Sequence, residues 1–186
     1  MYAGILTRSA TRPLTRSRSL RIAFWVSAFT LATALSAQVR IPLLFTPVPV
    51  TLQTFFVLLS GLMLGPWAFL AQGLYLLGGA AGLPVFTAGG AGLGHLTGAT
   101  TGYLLAFPLA GLLCGLVGPQ AGRLRTWLVT LVAALTILAA GTIWLALLTR
   151  IPLAGAAVLG FWPFLAGDVL KAAAAAGLGR RIGRRL

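Results

Sequence analysis

The sequence predicts an all-α integral membrane protein of about six transmembrane helices, with both termini on the cytoplasmic side. Three observations carry this. Charged residues make up 8% of the 186, against about 25% in soluble domains, so the chain lacks the means to build a charged surface. Hydrophobic residues make up 59% and mean hydropathy is +0.98, so apolar side chains must face lipid as well as core. The arginines fall at the ends of apolar runs, as topogenic charge does. That placement also argues against nucleic acid as the counterpart of the +13 net charge.

Residues 1–21 hold Arg8, Arg12, Arg16, Arg18 and Arg21 and no acid. The segment resembles a transit peptide in composition, but it reads as a disordered cytoplasmic tail ahead of a single transmembrane domain over 22–186. Residues 22–39 form the first apolar run. It is long for the apolar stretch of a signal peptide and is read as a retained helix. Ala28 and Ala32 place small residues at helix-contact spacing, which lets helix backbones approach in lipid.

Residues 40–50 carry Pro42, Pro47 and Pro49. Proline removes backbone donors and favours extended geometry, so an ordered non-helical loop is expected. Two apolar runs follow, 51–65 and 67–83, joined at the turn or break Gly65-Pro66. Residues 84–100 are loop-like, because Gly89, Gly90, Gly92, Gly94 and Gly98 each cost a helix about 1 kcal/mol relative to alanine. Three more apolar runs are expected at 101–118, 127–149 and 157–178.

Counting charge tests the topology. Eleven arginines fall in the N-terminal tail, the loop around 119–126 and the C-terminus, where Arg180, Arg181, Arg184 and Arg185 lie. Only Arg40 and Arg150 fall on the other side. Six spans give this asymmetry and place both termini in the cytoplasm; an odd number would split the charged ends.

The one acidic residue, Asp168, lies in the last apolar run with Lys171 three residues on, on the same helix face. An ionisable residue within a span costs about 2.5–3.5 kcal/mol on insertion scales. A chain that otherwise excludes acid has kept one at depth, which points to a binding or transport site; an internal ion pair that fixes helix packing is the structural alternative. Gly167 and Pro163 permit irregular backbone nearby. Trp162 and Phe161 read as interfacial aromatics.

Other chemistry has little support. His95 is the single histidine, with no Cys or carboxylate cluster to make a metal site, and a solvent-facing position is expected for it. Cys114 reads as a small buried residue. The glycine-rich loop lacks the Lys and Ser/Thr of a phosphate-binding loop. No second carboxylate is available for acid–base pairing, and there is no G-x-S-x-G elbow. No catalytic set is read, and any pumping would draw its energy from a partner.

The segment ALSAQVRIPLLFTPVPVTLQTFFVLLSGLMLGP, residues 34–66, resembles the BioY family, the biotin-binding S components of energy-coupling-factor (ECF) transporters. The resemblance continues through YLLGGAAGLPVFTAGGAG at 75–92, TGYLLAF at 101–107 and FLAGDVLKA at 164–172. The last is similar to the family's L-P-G-D-x-x-K motif, with Ala166 where the proline stands. Ala99-Thr100-Thr101 departs likewise from the family's Pro-Thr-Gly.

The resemblance implies a six-helix S component in a prokaryotic plasma membrane. It implies biotin as ligand, with no cofactor, captured from outside under the loops after helices one and three. It implies a membrane coupling subunit with paired ABC ATPases as partners. It assigns ligand contact to Asp168 and Lys171, and docking of the coupling subunit to Ala28 and Ala32. Ligand chemistry agrees: a ureido group offers two N–H donors and a carbonyl, which a carboxylate and an ammonium complement with charge-assisted bonds. Phe45, Phe86, Tyr103 and Trp162 are candidate apolar walls. Gln53 and Thr51 are candidate polar contacts, and Arg40 is a candidate partner for the ligand carboxylate. Two other readings fit the residues: an autonomous proton-coupled carrier with Asp168 as the protonated group, and a non-transporting scaffold locked by Asp168–Lys171.

Overall fold

The computed structural model describes residues 16–118 and 120–183. Arg8, Arg12, Arg184 and Arg185 lie outside the described residues. Helix α1 spans Arg16–Gln38, so residues 16–21, read from sequence as tail, are the first turns of the helix. Arginine and leucine are good helix formers, and long arginine stems cover apolar surface while their heads reach water.

The proline-rich segment is an ordered loop, as expected. It also contains a short antiparallel ribbon, with β1 (Arg40–Ile41) paired to β2 (Val50–Thr51) and Arg40 opposite Thr51. Helices α2 (Gln53–Leu64) and α3 (Ala68–Ala80) follow, separated by a 3-10 turn at Gly65–Trp67. The chain reverses there. Gln53 Nε2 donates to Tyr75 Oη at 2.7 Å, and Gln72 Nε2 to Ser60 Oγ at 3.1 Å. In one continuous helix Gln53 and Tyr75 would lie about 33 Å apart. Gly65 makes the reversal possible, with φ of 62°, a region costly for any residue with a Cβ.

Residues 84–100 are mostly loop, with a 3-10 turn at Thr87–Gly89 and one helical turn, α4 (Gly92–His95). Helix α5 (Thr101–Gly115) keeps Pro108 inside it, and α6 spans Arg123–Thr149. Gly102 lets these two cross closely, since a Cβ there would lie 2.3 Å from the Trp144 Cβ.

The last apolar run is not one straight helix. It is α7 (Leu153–Gly160) and α8 (Trp162–Ile182), bent by 51°. The cause is Pro163, which has no N–H to return to the Leu159 carbonyl. The loop supplies the donor instead: Thr46 Oγ1 bonds Leu159 O at 2.8 Å. The next freed carbonyl, of Gly160, accepts from Tyr103 Oη at 2.6 Å. Both groups at the break are thus paired, as buried backbone requires.

Helices α1 and α6 are each long and apolar enough to cross a membrane, and α7 with α8 qualify together as a bent span. Large apolar residues such as Phe24, Leu31, Leu105, Val132, Leu147 and Leu170 face outward, whereas Thr33, Ser60, Gln72 and Thr130 are buried. Gln72 Nε2 also donates to Thr33 Oγ1, so one buried amide joins α1, α2 and α3. An apolar exterior around a hydrogen-bonded polar interior suits lipid as solvent.

Candidate functional site: a cleft closed by the loops

Helix α8 buries a stripe of Phe164, Asp168, Ala172, Ala175, Ala176 and Gly179. That three-and-four spacing is one helix face, and it turns Asp168 inward. The small residues below it bring α8 close to α2, where a Cβ on Gly179 would lie 2.8 Å from Leu62. Lys171 sits at the edge of the same face. Its Nζ donates to Asp168 Oδ1 at 2.8 Å, and the two side chains are 16% and 6% exposed. In so dry a place each charge depends on the other or on a ligand.

Both line a cleft with about 490 Å³ of atom-free space, part of it open to solvent at the mouth. The polar wall comes from β2 and the start of α2, with Thr51, Gln53 and Thr54, and from loop residues Thr87 and Thr100. The apolar wall is Leu104 and Phe107 of α5, Ile137 and Leu138 of α6, and Phe164 of α8. Gln53 is held in place, since its Nε2 donates to Tyr75 and its Oε1 accepts from Thr51 Oγ1 at 3.1 Å. Tyr103 offers its ring to the cleft, while its hydroxyl is engaged with Gly160. Gly141 makes room for that ring, because a Cβ there would lie 2.2 Å from it.

The segment over the cleft is pinned rather than free. Phe86 is fully buried, packed edge-on to Tyr75 at 5.6 Å and fitted against Gly79. Gln38, at the end of α1, donates from Nε2 to Phe86 O at 3.0 Å and accepts from Gly89 N at 3.1 Å. His95 stacks on Phe86 at 5.0 Å and 15°. It is therefore half-buried against the ring rather than facing solvent as its loop position suggested. Its Nε2 is buried with no hydrogen-bond partner among the described residues, and burial holds its pKa below the usual value.

Among the residues singled out from sequence, the structure brings Asp168, Lys171, Gln53, Thr51 and Tyr103 together. It leaves four off the cleft wall. Arg40 is exposed on β1, Phe45 and Trp162 are exposed, and Phe86 anchors the lid from behind Thr87. Ala28 and Ala32 lie half-buried on α1, away from the cleft. Sequence reasoning missed Thr54, Thr87, Thr100, Phe107 and Phe164. Two were within reach of helical spacing, since Phe107 follows Tyr103 by four and Phe164 precedes Asp168 by four. Among the described residues, no three His, Cys, Asp or Glu side chains gather as a metal would need. The arrangement suits a small, largely neutral ligand that has an N–H and carbonyl face for Asp168 and Lys171 and an apolar body for the α5–α6 wall.

Comparison with known proteins bears on which ligand that is. The BioY family model matches residues 9–186. The chain is 39% identical over 158 residues to the "Probable biotin transporter BioY" of Pyrococcus horikoshii, covering 84% of this chain and 93% of that protein. It is 37% identical over 155 residues to the "Biotin transporter BioY" of Thermotoga maritima, covering 83% and 90%. Its fold is similar to the crystal structure of the S component for biotin from an ECF-type ABC transporter, with a TM-score of 0.85, 25% identity, and coverage of 90% and 93%.

Proposed function

The chain belongs to the BioY family of multi-pass membrane transport proteins, and from that premise we propose that it captures biotin as the substrate-binding S component of an ECF-type transporter. The observation that carries the proposal is the Asp168–Lys171 pair on the wall of a cleft whose other side is apolar. With a ligand present, Asp168 accepts from one ureido N–H and Lys171 donates to the ureido carbonyl beside it. Both exchange their mutual bond for charge-assisted bonds of similar strength. The thiophane ring and valeryl chain lie against Tyr103, Phe107 and Phe164. Thr51, Gln53 and Thr54 add polar contacts at the cleft's edge. Arg40, paired in backbone to Thr51 at the rim, meets the carboxylate where it emerges. Phe86 acts indirectly, by holding Thr87 over the cleft.

In this reading the chain crosses a prokaryotic plasma membrane six times with both termini inside, as the arginine asymmetry supports. Binding occurs from the outer side. The chain is not catalytic, and paired ABC ATPases supply the energy through a coupling subunit seated on the α1 face that carries Ala28 and Ala32. The test is labelled-biotin uptake into proteoliposomes with and without the coupling subunit and ATPases. The chain alone is expected to bind without accumulating, and ATP-driven accumulation is expected only in the full assembly. Accumulation by the chain alone that an uncoupler abolishes would establish the proton-coupled carrier instead. Absence of binding in both preparations would leave the scaffold.

A further inference from the structure

A second groove lies at the other end of the molecule, between the start of α6 and the end of α8. Arg123 and Trp127 form one side; Ala173, Gly177, Arg180 and Arg181 form the other. Its atom-free space is about 920 Å³, part of it open. The three arginines are exposed, and among the described residues no acidic side chain answers them. Asp168 is the chain's only acidic side chain; it is bound to Lys171 and lies about 18 Å up α8 from Arg180. Arg180 spends one N–H on the Ala121 carbonyl, and its guanidinium has further N–H groups to offer. The first backbone N–H groups of α6, which begins at Arg123, add the positive end of a helix dipole at the same spot. The groove floor is small and apolar, and Trp127 is half-buried along it, as suits an indole at the headgroup level.

We infer that this groove binds the headgroup of an anionic phospholipid. Arg123, Arg180 and Arg181 hold the phosphate, and the acyl chains run along Trp127 and Ala173. The occupant is a lipid rather than a soluble anion because the charged rim continues directly into an apolar strip. Basic pockets between membrane helices take anionic headgroups in this way, with arginine forks suited to phosphate. The inference is independent of the biotin reading.

The test is a titration of the detergent-purified full chain with phosphatidylglycerol, followed by native mass spectrometry for stoichiometry and by thermal unfolding. One tightly held lipid is expected, with a rise in unfolding temperature that phosphatidylcholine does not give. Arg123→Gln/Arg180→Gln/Arg181→Gln is expected to weaken binding roughly a hundredfold, at about fivefold per basic residue. Arg123→Gln/Arg181→Gln, which keeps the Arg180–Ala121 bond, is expected to lose roughly twenty-fivefold at the same rate per residue. Arg16→Gln/Arg18→Gln/Arg21→Gln, which removes as much charge from α1, is expected to retain the bound lipid. Equal loss in that control would reduce the effect to general surface charge and overturn the site. Unchanged retention in the double groove variant would also overturn it and leave the groove to an acidic protein segment. An equal temperature rise with inorganic phosphate in place of lipid would overturn the lipid assignment.

Discussion

Replacing Lys171 with methionine removes an ammonium 2.8 Å from the Asp168 carboxylate and leaves the rest of the stem in place. At an effective dielectric near 20, the charge pair is worth about 6 kcal/mol of direct attraction. Much of that offsets the cost of taking both groups out of water. Deletion does not recover the offset, because Asp168, 6% exposed, stays buried without its partner. The expected loss is therefore about 3–5 kcal/mol. Asp168→Asn is milder, about 1.5–3 kcal/mol by the scale of a lost hydrogen bond to a charged group. Lys171 is the more exposed member, and its flexible stem lets the ammonium reach the mouth of the cleft. The double variant Asp168→Asn/Lys171→Met leaves no orphaned charge and is expected to be more stable than Lys171→Met alone. Denaturant unfolding of the four proteins in mixed micelles, without ligand, completes the cycle. Equal losses for the two single variants, or a Lys171→Met loss under about 1 kcal/mol, would show that the pair is solvated and that the argument from burial is wrong.

Three further outcomes are expected. Gly115→Ala would put a Cβ 2.4 Å from the Gly65 backbone, so the α2–α3 turn must shift; a loss of about 1–3 kcal/mol in unfolding free energy is expected, with ligand affinity little changed, and full retention of stability would contradict the close crossing. Thr46→Val removes the donor to the Leu159 carbonyl, and leaving that group unpaired costs about 1–3 kcal/mol, seen as faster hydrogen exchange in α7 and the first turn of α8; unaltered exchange would refute the capping of the break. Burial lowers the pKa of His95, so the folded state binds fewer protons than the unfolded one; its contribution is complete above about pH 6.5 and is lost as pH falls through the folded value, so protection factors in 84–100, referred to the intrinsic exchange rate at each pH, should fall at pH 5 in the native chain and hold in His95→Phe.

Much of the fold was legible because lipid makes composition speak directly. Apolar runs ended by Gly65-Pro66, by the proline-rich loop and by arginine located the middle helices to within about four residues. Helix α1 begins six residues earlier than its apolar run, and the last run is two helices. Asp168 and Lys171 stood out by scarcity and fell together by helical spacing. The bend at Gly160–Phe161 was less legible, since its carbonyls are satisfied by Thr46 and Tyr103, from a distant loop and helix. A lone proline near a helix start permits a bend, but only tertiary contacts decide it. Phe86 illustrates the same limit. Its aromatic ring marked it as a wall, yet the space left by Gly79 draws it behind the lid. Arg40 and Trp162 were candidate ligand contacts by residue type, yet both are exposed and off the cleft wall, because how the loops pack decides which side chains reach it.

The central claim is that Asp168 and Lys171 are ligand groups rather than a lock between helices. Calorimetric titration of the purified chain with biotin, alongside Asp168→Asn and Lys171→Met, tests it most directly. The account predicts one biotin bound per chain. Each variant is expected to lose about 2–4 kcal/mol of binding free energy, some thirtyfold to a thousandfold in Kd, while remaining folded at the titration temperature. Biotin binding of equal strength in all three proteins would contradict it.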